Sequence, residues 1–104
     1  MINGVDAGRE TPLRSRVTVP QHVVYRAFPG ETVVLNLQTG MYHGLNPTAG
    51  RMLAALDRPQ TIQEAARVLA EQYSRPRSEV EADMQGLCAE LLERGLLELA
   101  EDDA

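Results

Sequence analysis

Glu31-Thr-Val-Val-Leu-Asn-Leu-Gln-Thr-Gly-Met-Tyr-His-Gly-Leu-Asn-Pro-Thr-Ala-Gly50 reads as two short strands, a glycine-closed hairpin and the start of a helix. Val33, Leu35 and Leu37 alternate with Thr32, Val34 and Asn36, the period of a strand with one face buried. Gln38-Thr39-Gly40 supplies a turn in which Gly40 can take the left-handed conformation a three-residue hairpin loop needs. Met41 to Leu45 returns as the partner strand. Asn46 suits the cap of the next helix and Pro47 its first position, where no backbone donor is needed. The sheet therefore ends on a short strand with no proline, lysine or arginine to guard it. Such an edge can accept another chain.

Working outward, Pro20 and Pro29 bracket a first strand around His22 to Phe28, and Arg26 lies within it. The three strands form a meander whose outer members are the first and the third, and only the third lacks guarding residues. Helix one is expected from Pro47 to about Asp57, burying Ala49, Met52, Leu53 and Leu56. Helix two opens on a capping box, Thr61 with Glu64, and buries Ile62, Ala65 or Ala66, Leu69 and Tyr73. Helix three is assigned a second capping box, Ser78 with Glu81. Its stripe of Val80, Met84, Leu87, Cys88, Leu91 and Leu92 follows the helical period, and Gly95 ends it. Leu96, Leu97 and Leu99 are expected to form a last extended piece. The fold class is α+β: a three-stranded antiparallel β-meander followed by three α-helices, winged helix-turn-helix-like. Residues 1–16 read as a flexible arm, 17–99 as the domain and 100–104 as an acidic tail.

Composition narrows the function. The chain has 104 residues, 43% of them hydrophobic, which suits one small domain with a single core. Fifteen carboxylates against ten basic residues, all arginine, leave a formal charge of −5. A nucleic-acid partner is disfavoured, because phosphate binding rests on a clustered excess of basic side chains. Cys88 is alone, so no intramolecular disulfide is possible and a reducing cytoplasm fits. No signal-type apolar run or membrane-spanning stretch is present, and the expected location is cytoplasmic.

The run Thr39-Gly-Met-Tyr-His-Gly-Leu-Asn-Pro-Thr-Ala49 resembles the TGxYxxLNxxA signature of the PqqD-like proteins. That family is named for the pyrroloquinoline quinone biosynthesis D protein and includes the stand-alone RiPP recognition elements of lasso-peptide pathways. The likeness continues through helix three to Leu91-Leu-Glu-Arg-Gly-Leu-Leu97 and covers roughly residues 17–99. It implies a protein that binds the leader of a ribosomally made precursor peptide and presents it to a modifying enzyme. The leader would add as a strand along the third strand, beside helix three. Carried over by position, the strand contributors are Met41, Tyr42, His43, Gly44 and Leu45. The groove wall would be Asp83, Met84, Leu87 and Leu91, with Cys88 a further member. The partners implied are a leader peptidase and cyclase of the lasso type, or alternatively a radical SAM enzyme of pyrroloquinoline quinone biosynthesis. No cofactor or metal is implied.

Two other classes fit the residues less well. A winged-helix DNA-binding protein conflicts with Glu79, Glu81, Asp83, Glu90 and Glu93 on or beside helix three, a face that would repel phosphate. An enzyme lacks support: there is no P-loop, nucleophile elbow or supported Cys–His pair, and His22 and His43 are isolated. In the strand itself, alternate residues point their amides outward. Either Met41, His43 and Leu45 supply the bonds, or Tyr42 and Gly44 do.

Overall fold

The computed structural model describes residues 11–57 and 60–100. Strands β2 (Val23–Ala27), β3 (Thr32–Asn36) and β4 (Tyr42–Leu45) form an antiparallel sheet in that order. The meander expected from sequence is thus present, with β4 as one of its edges. Phe28 and Glu31 exchange backbone bonds across Pro29-Gly30, which closes the first hairpin. In the second, the Asn36 amide donates to the Met41 carbonyl at 2.9 Å, and the Gly40 amide to the Asn36 carbonyl at 2.8 Å. Gly40 sits at φ +79°, so Gly40 and Met41 together oppose Asn36 as a glycine bulge. The Asn36 side chain accepts from the Gln38 amide and holds the loop tight.

One expectation about this sheet is reversed. The alternation in Val33, Leu35 and Leu37 suggests that these residues face the core, yet Thr32, Val34 and Asn36 are the buried set. The reason is the position of helix α1 (Pro47–Ala55). Gly50 packs so closely on Thr32 that a β-carbon there would overlap the threonine side chain. The helix therefore covers the Thr32 and Val34 face. The face carrying Val24, Arg26, Val33, Leu35, Tyr42 and Gly44 is left outward, following the cross-strand register.

Asn46 caps α1 through its side-chain oxygen, which accepts from the Ala49 amide at 2.8 Å, and Pro47 takes the first helical position. Helix α2 (Ile62–Tyr73) carries the full capping box between Thr61 and Glu64. Helix α3 (Arg77–Glu93) differs from expectation at its start. It begins after Pro76 with no side-chain cap. Ser78 already lies inside the first turn, and the Glu81 carboxylate pairs with Arg77 at 3.4 Å instead of reaching back. Its end is as expected: Gly95, at φ +73°, donates to Leu92 and Leu96 donates to Leu91, a Schellman closure with Leu91 and Leu96 buried.

Helices α2 and α3 pack along their lengths, the small side chains Ala65, Ala66 and Ala70 on α2 allowing Val80, Met84, Cys88 and Leu91 of α3 to approach. Tyr73, expected in the buried stripe, is instead half exposed with Arg51 over its ring at 5.4 Å.

A second sheet was not anticipated. Strand β1 (Arg16–Thr18) lies between two-residue strands β5 (Gln60–Thr61) and β6 (Glu98–Leu99), joining the chain's beginning, middle and end. The arm read over residues 1–16 therefore ends earlier. The carbonyls of Leu13 and Ser15 accept from Gln63 and Ile62, the unpaired first amides of α2, and Gln85 of α3 donates to the Thr11 carbonyl. Residues 1–10 of that arm and 101–104 of the acidic tail lie outside the described residues. No helix among the described residues is long and apolar enough to cross a membrane.

Candidate peptide-binding edge

The hydrogen-bond phase of β4 follows from the bulge that starts it. Asn36 and Met41 form a hydrogen-bonded pair, and pairs alternate along an antiparallel ladder. His43 opposite Val34 and Leu45 opposite Thr32 therefore spend their backbone groups on β3. Tyr42 and Gly44 stand at the non-hydrogen-bonded positions, so their amides and carbonyls point to the free side. The choice left open by the sequence falls on Tyr42 and Gly44.

The side chains divide accordingly. Tyr42 is 72% exposed and Met41 60%, so neither is a core residue. Leu45 is half-buried and packs against the core, and His43, also half-buried, shares its face. Gly44 lies on the outward face with Tyr42, and the space a β-carbon would take is occupied by the Glu31 carboxylate.

The residues expected on α3 separate into two groups. Met84 and Leu91 are buried at 0% and 1% and serve the α2–α3 contact; they line no open groove. Leu87 is half-buried at the margin of the core, and Asp83 is exposed with its carboxylate 3.5 Å from Arg75. Cys88 is fully enclosed, and burial pushes its thiol up to about 12. A thiol so held is a small hydrophobe, not a nucleophile. Tyr25, on the inner face of β2, is pushed up to about 12 by desolvation and then by its 2.7 Å bond to the Asp57 carboxylate. That bond ties the sheet to the end of α1 and takes no part in the edge. Among the described residues no group of three His, Cys, Asp or Glu is placed to hold a metal.

One feature was missed by the sequence reading. A pocket of about 120 Å³ lies between α1, α2 and the start of α3. Met52, Leu69 and Val80 are its buried floor, and Thr48, Arg51, Tyr73 and Arg75 its exposed rim. It is small beside the ~300–1,000 Å³ of a metabolite site and has room for about one side chain. Thr48 and Arg51, one helical turn apart and just past β4, are the signal that could have flagged it.

Known proteins share this chain's sequence pattern and fold. Residues 31–97 match the family described as coenzyme PQQ synthesis protein D, PqqD. The chain belongs to the PqqD family. Among solved structures, TbiB1 in complex with the TbiA(β) leader peptide is similar at 30% identity and a TM-score of 0.70. The match covers 82% of this chain and 99% of TbiB1. Two further structures share the fold. Lasso peptide synthetase B1 complexed with its leader peptide matches at 23% identity and TM-score 0.66, over 78% of this chain and 95% of the other. The PqqD truncation of Methylobacterium extorquens PqqCD, a stand-alone RiPP recognition element, matches at 24% and 0.68, over 80% and 88%. No curated protein matches the chain.

Proposed function

We propose that this PqqD-family chain binds the leader region of a ribosomally synthesised precursor peptide and presents it to a separate modifying enzyme. The observation that carries the reading is the unguarded β4 edge, where the backbones of Tyr42 and Gly44 face outward. An added strand bonds to these groups and extends the meander. Of the residues assigned by resemblance, Leu45 and Leu87 are half-buried and so open to a peptide, and Asp83 is the exposed charged one. Met84 and Leu91 act only as support from within the core.

Magnitudes show why the edge is not enough. Four backbone bonds at about 1 kcal/mol each give about 4 kcal/mol, equivalent to millimolar binding. Micromolar binding needs roughly 4 kcal/mol more, the burial of about 160 Å² of apolar surface before association costs are met. The pocket beside Thr48 and Arg51 and the exposed Tyr42 ring are the surfaces able to supply it.

The similarity to TbiB1, itself in complex with a leader peptide, supports leader binding. The sequence resemblance favours the lasso-peptide type, whose receiving enzymes are a leader peptidase and a cyclase. In the alternative, pyrroloquinoline quinone type, the resemblance implies a radical SAM enzyme as the receiving partner. In either case the chain is a cytoplasmic carrier with no catalytic residue and no cofactor of its own. Duplex DNA is a poor partner, since Arg75, Arg77 and Arg94 are each within 3.5 Å of a carboxylate. The test is calorimetric titration with the leader of the precursor encoded beside the protein, in parallel with its core peptide. Saturable binding of the leader alone at ~1 μM or tighter is the expected result. Equal binding of the core peptide, or none of either, would refute the reading.

A further inference from the structure

We propose that Glu31 makes the β4 edge selective for a basic side chain at one register position of the bound strand. This inference rests on the strand-addition reading above. Glu31 leaves the first hairpin on the outward face of the meander, diagonal to Gly44 across the β3–β4 ladder. Because Gly44 has no side chain, the Glu31 carboxylate folds over it, with Oε1 2.5 Å from where a β-carbon would stand. A carboxylate from the residue just before β3 thereby reaches the edge strand itself. It has no ion-pair partner among the described residues.

The backbone phase decides what meets it. Gly44 offers its amide and carbonyl outward, so an added antiparallel strand forms a hydrogen-bonded pair with it. The opposing residue has its Cα about 5.5 Å from that of Gly44, and its side chain on the same, outward face. Lysine or arginine there lies alongside the Glu31 carboxylate, and aspartate or glutamate is repelled. The neighbouring outward positions are apolar or aromatic: Val33, Leu35 and Tyr42. The only other charge in this cross-strand row is Arg26, two strands in from the edge. That is about 9–10 Å away, close to a Debye length at physiological salt. The preference therefore belongs to a single position of the peptide.

The test is a charge scan. The probe is the leader encoded beside the protein, made as a series in which each position in turn carries lysine or glutamate. Each peptide is titrated into the wild type, Glu31→Gln and Glu31→Lys, with unfolding midpoints measured to confirm an unchanged fold. One position should favour lysine over glutamate by about five-fold more than the rest, the upper range for an exposed ion pair. Glu31→Gln should abolish that excess, and Glu31→Lys should invert it. An excess that survives Glu31→Gln overturns the assignment, and so does a lysine preference spread evenly over all positions. Either result leaves strand addition standing. Failure of every peptide to bind the wild type overturns both.

Discussion

At the scale of single residues, Tyr42 and Gly44 differ from their neighbours Met41, His43 and Leu45 only in which way the backbone points. The bulge at Gly40 and Met41 sets that phase. It leads to opposite outcomes for two adjacent substitutions. Gly44→Pro removes an outward amide and leaves the β3 ladder intact, and its β-carbon would meet the movable Glu31 carboxylate. Leader binding should weaken at least about ten-fold, by loss of a bond and by the ring's obstruction of the edge, with a small change in unfolding midpoint. His43→Pro removes a ladder bond to β3 and should cost about 3 kcal/mol of stability, measured by denaturant unfolding. Equal effects of the two on binding, in folded proteins, would contradict the assigned phase. Tyr42 could not be separated from core residues in the sequence, because an aromatic in a four-residue strand suits either face. Gly44 was legible as a close-approach position, but the occupant of its space, Glu31, was not.

At the scale of elements, helix ends show which local signals are dependable. Asn46-Pro47, Thr61 with Glu64, and Gly95 all act as read, since each satisfies an amide or carbonyl that has no other partner nearby. Ser78 with Glu81 does not, because Pro76 starts the helix two residues before Ser78 and arginines compete for the carboxylates. Between α2 and α3, Ser74 closes the first helix in the left-handed region at φ 53°. A residue with a β-carbon is disfavoured there by about 1–2 kcal/mol, partly offset by glycine's greater freedom when unfolded. Ser74→Gly should therefore stabilise the chain by about 0.5 kcal/mol and raise the midpoint by about 2–4 °C in a thermal melt. A lower midpoint would show that the serine hydroxyl contributes more than the backbone conformation costs.

At the scale of the whole molecule, β1 fastens the domain shut. It pairs with β5 between the helices and with β6 after the last helix, and Val17 at its centre is fully buried. The β4 edge belongs to the other sheet, so closure of the fold and the proposed binding use different strands. Val17→Ala should cost about 2 kcal/mol from lost burial and the cavity left behind. The midpoint should then fall by roughly 10 °C. Leader affinity measured well below the new midpoint should stay within about two-fold of wild type. A parallel loss of affinity would mean that the second sheet supports the edge directly.

The sequence by itself determined what short-range physics controls. Strand alternation, the turn at Gly40, the caps at Asn46 and Thr61, and the periods of α2 and α3 all depend on residues within a few positions of one another. They suffice for the meander, the three helices and the unguarded edge. Only the tertiary structure decided which face of β3 is buried, because both faces carry apolar residues and the choice is made by Gly50 of α1 against Thr32. Tertiary structure alone also brought β1, β5 and β6 together, since two- and three-residue strands carry too little pattern to be read locally. For the same reason Met84 and Leu91 could not be told from groove residues on a helical stripe until α2 was seen to cover them. Side-chain period reveals that a face is apolar. What lies against that face is settled by contacts far apart in the chain.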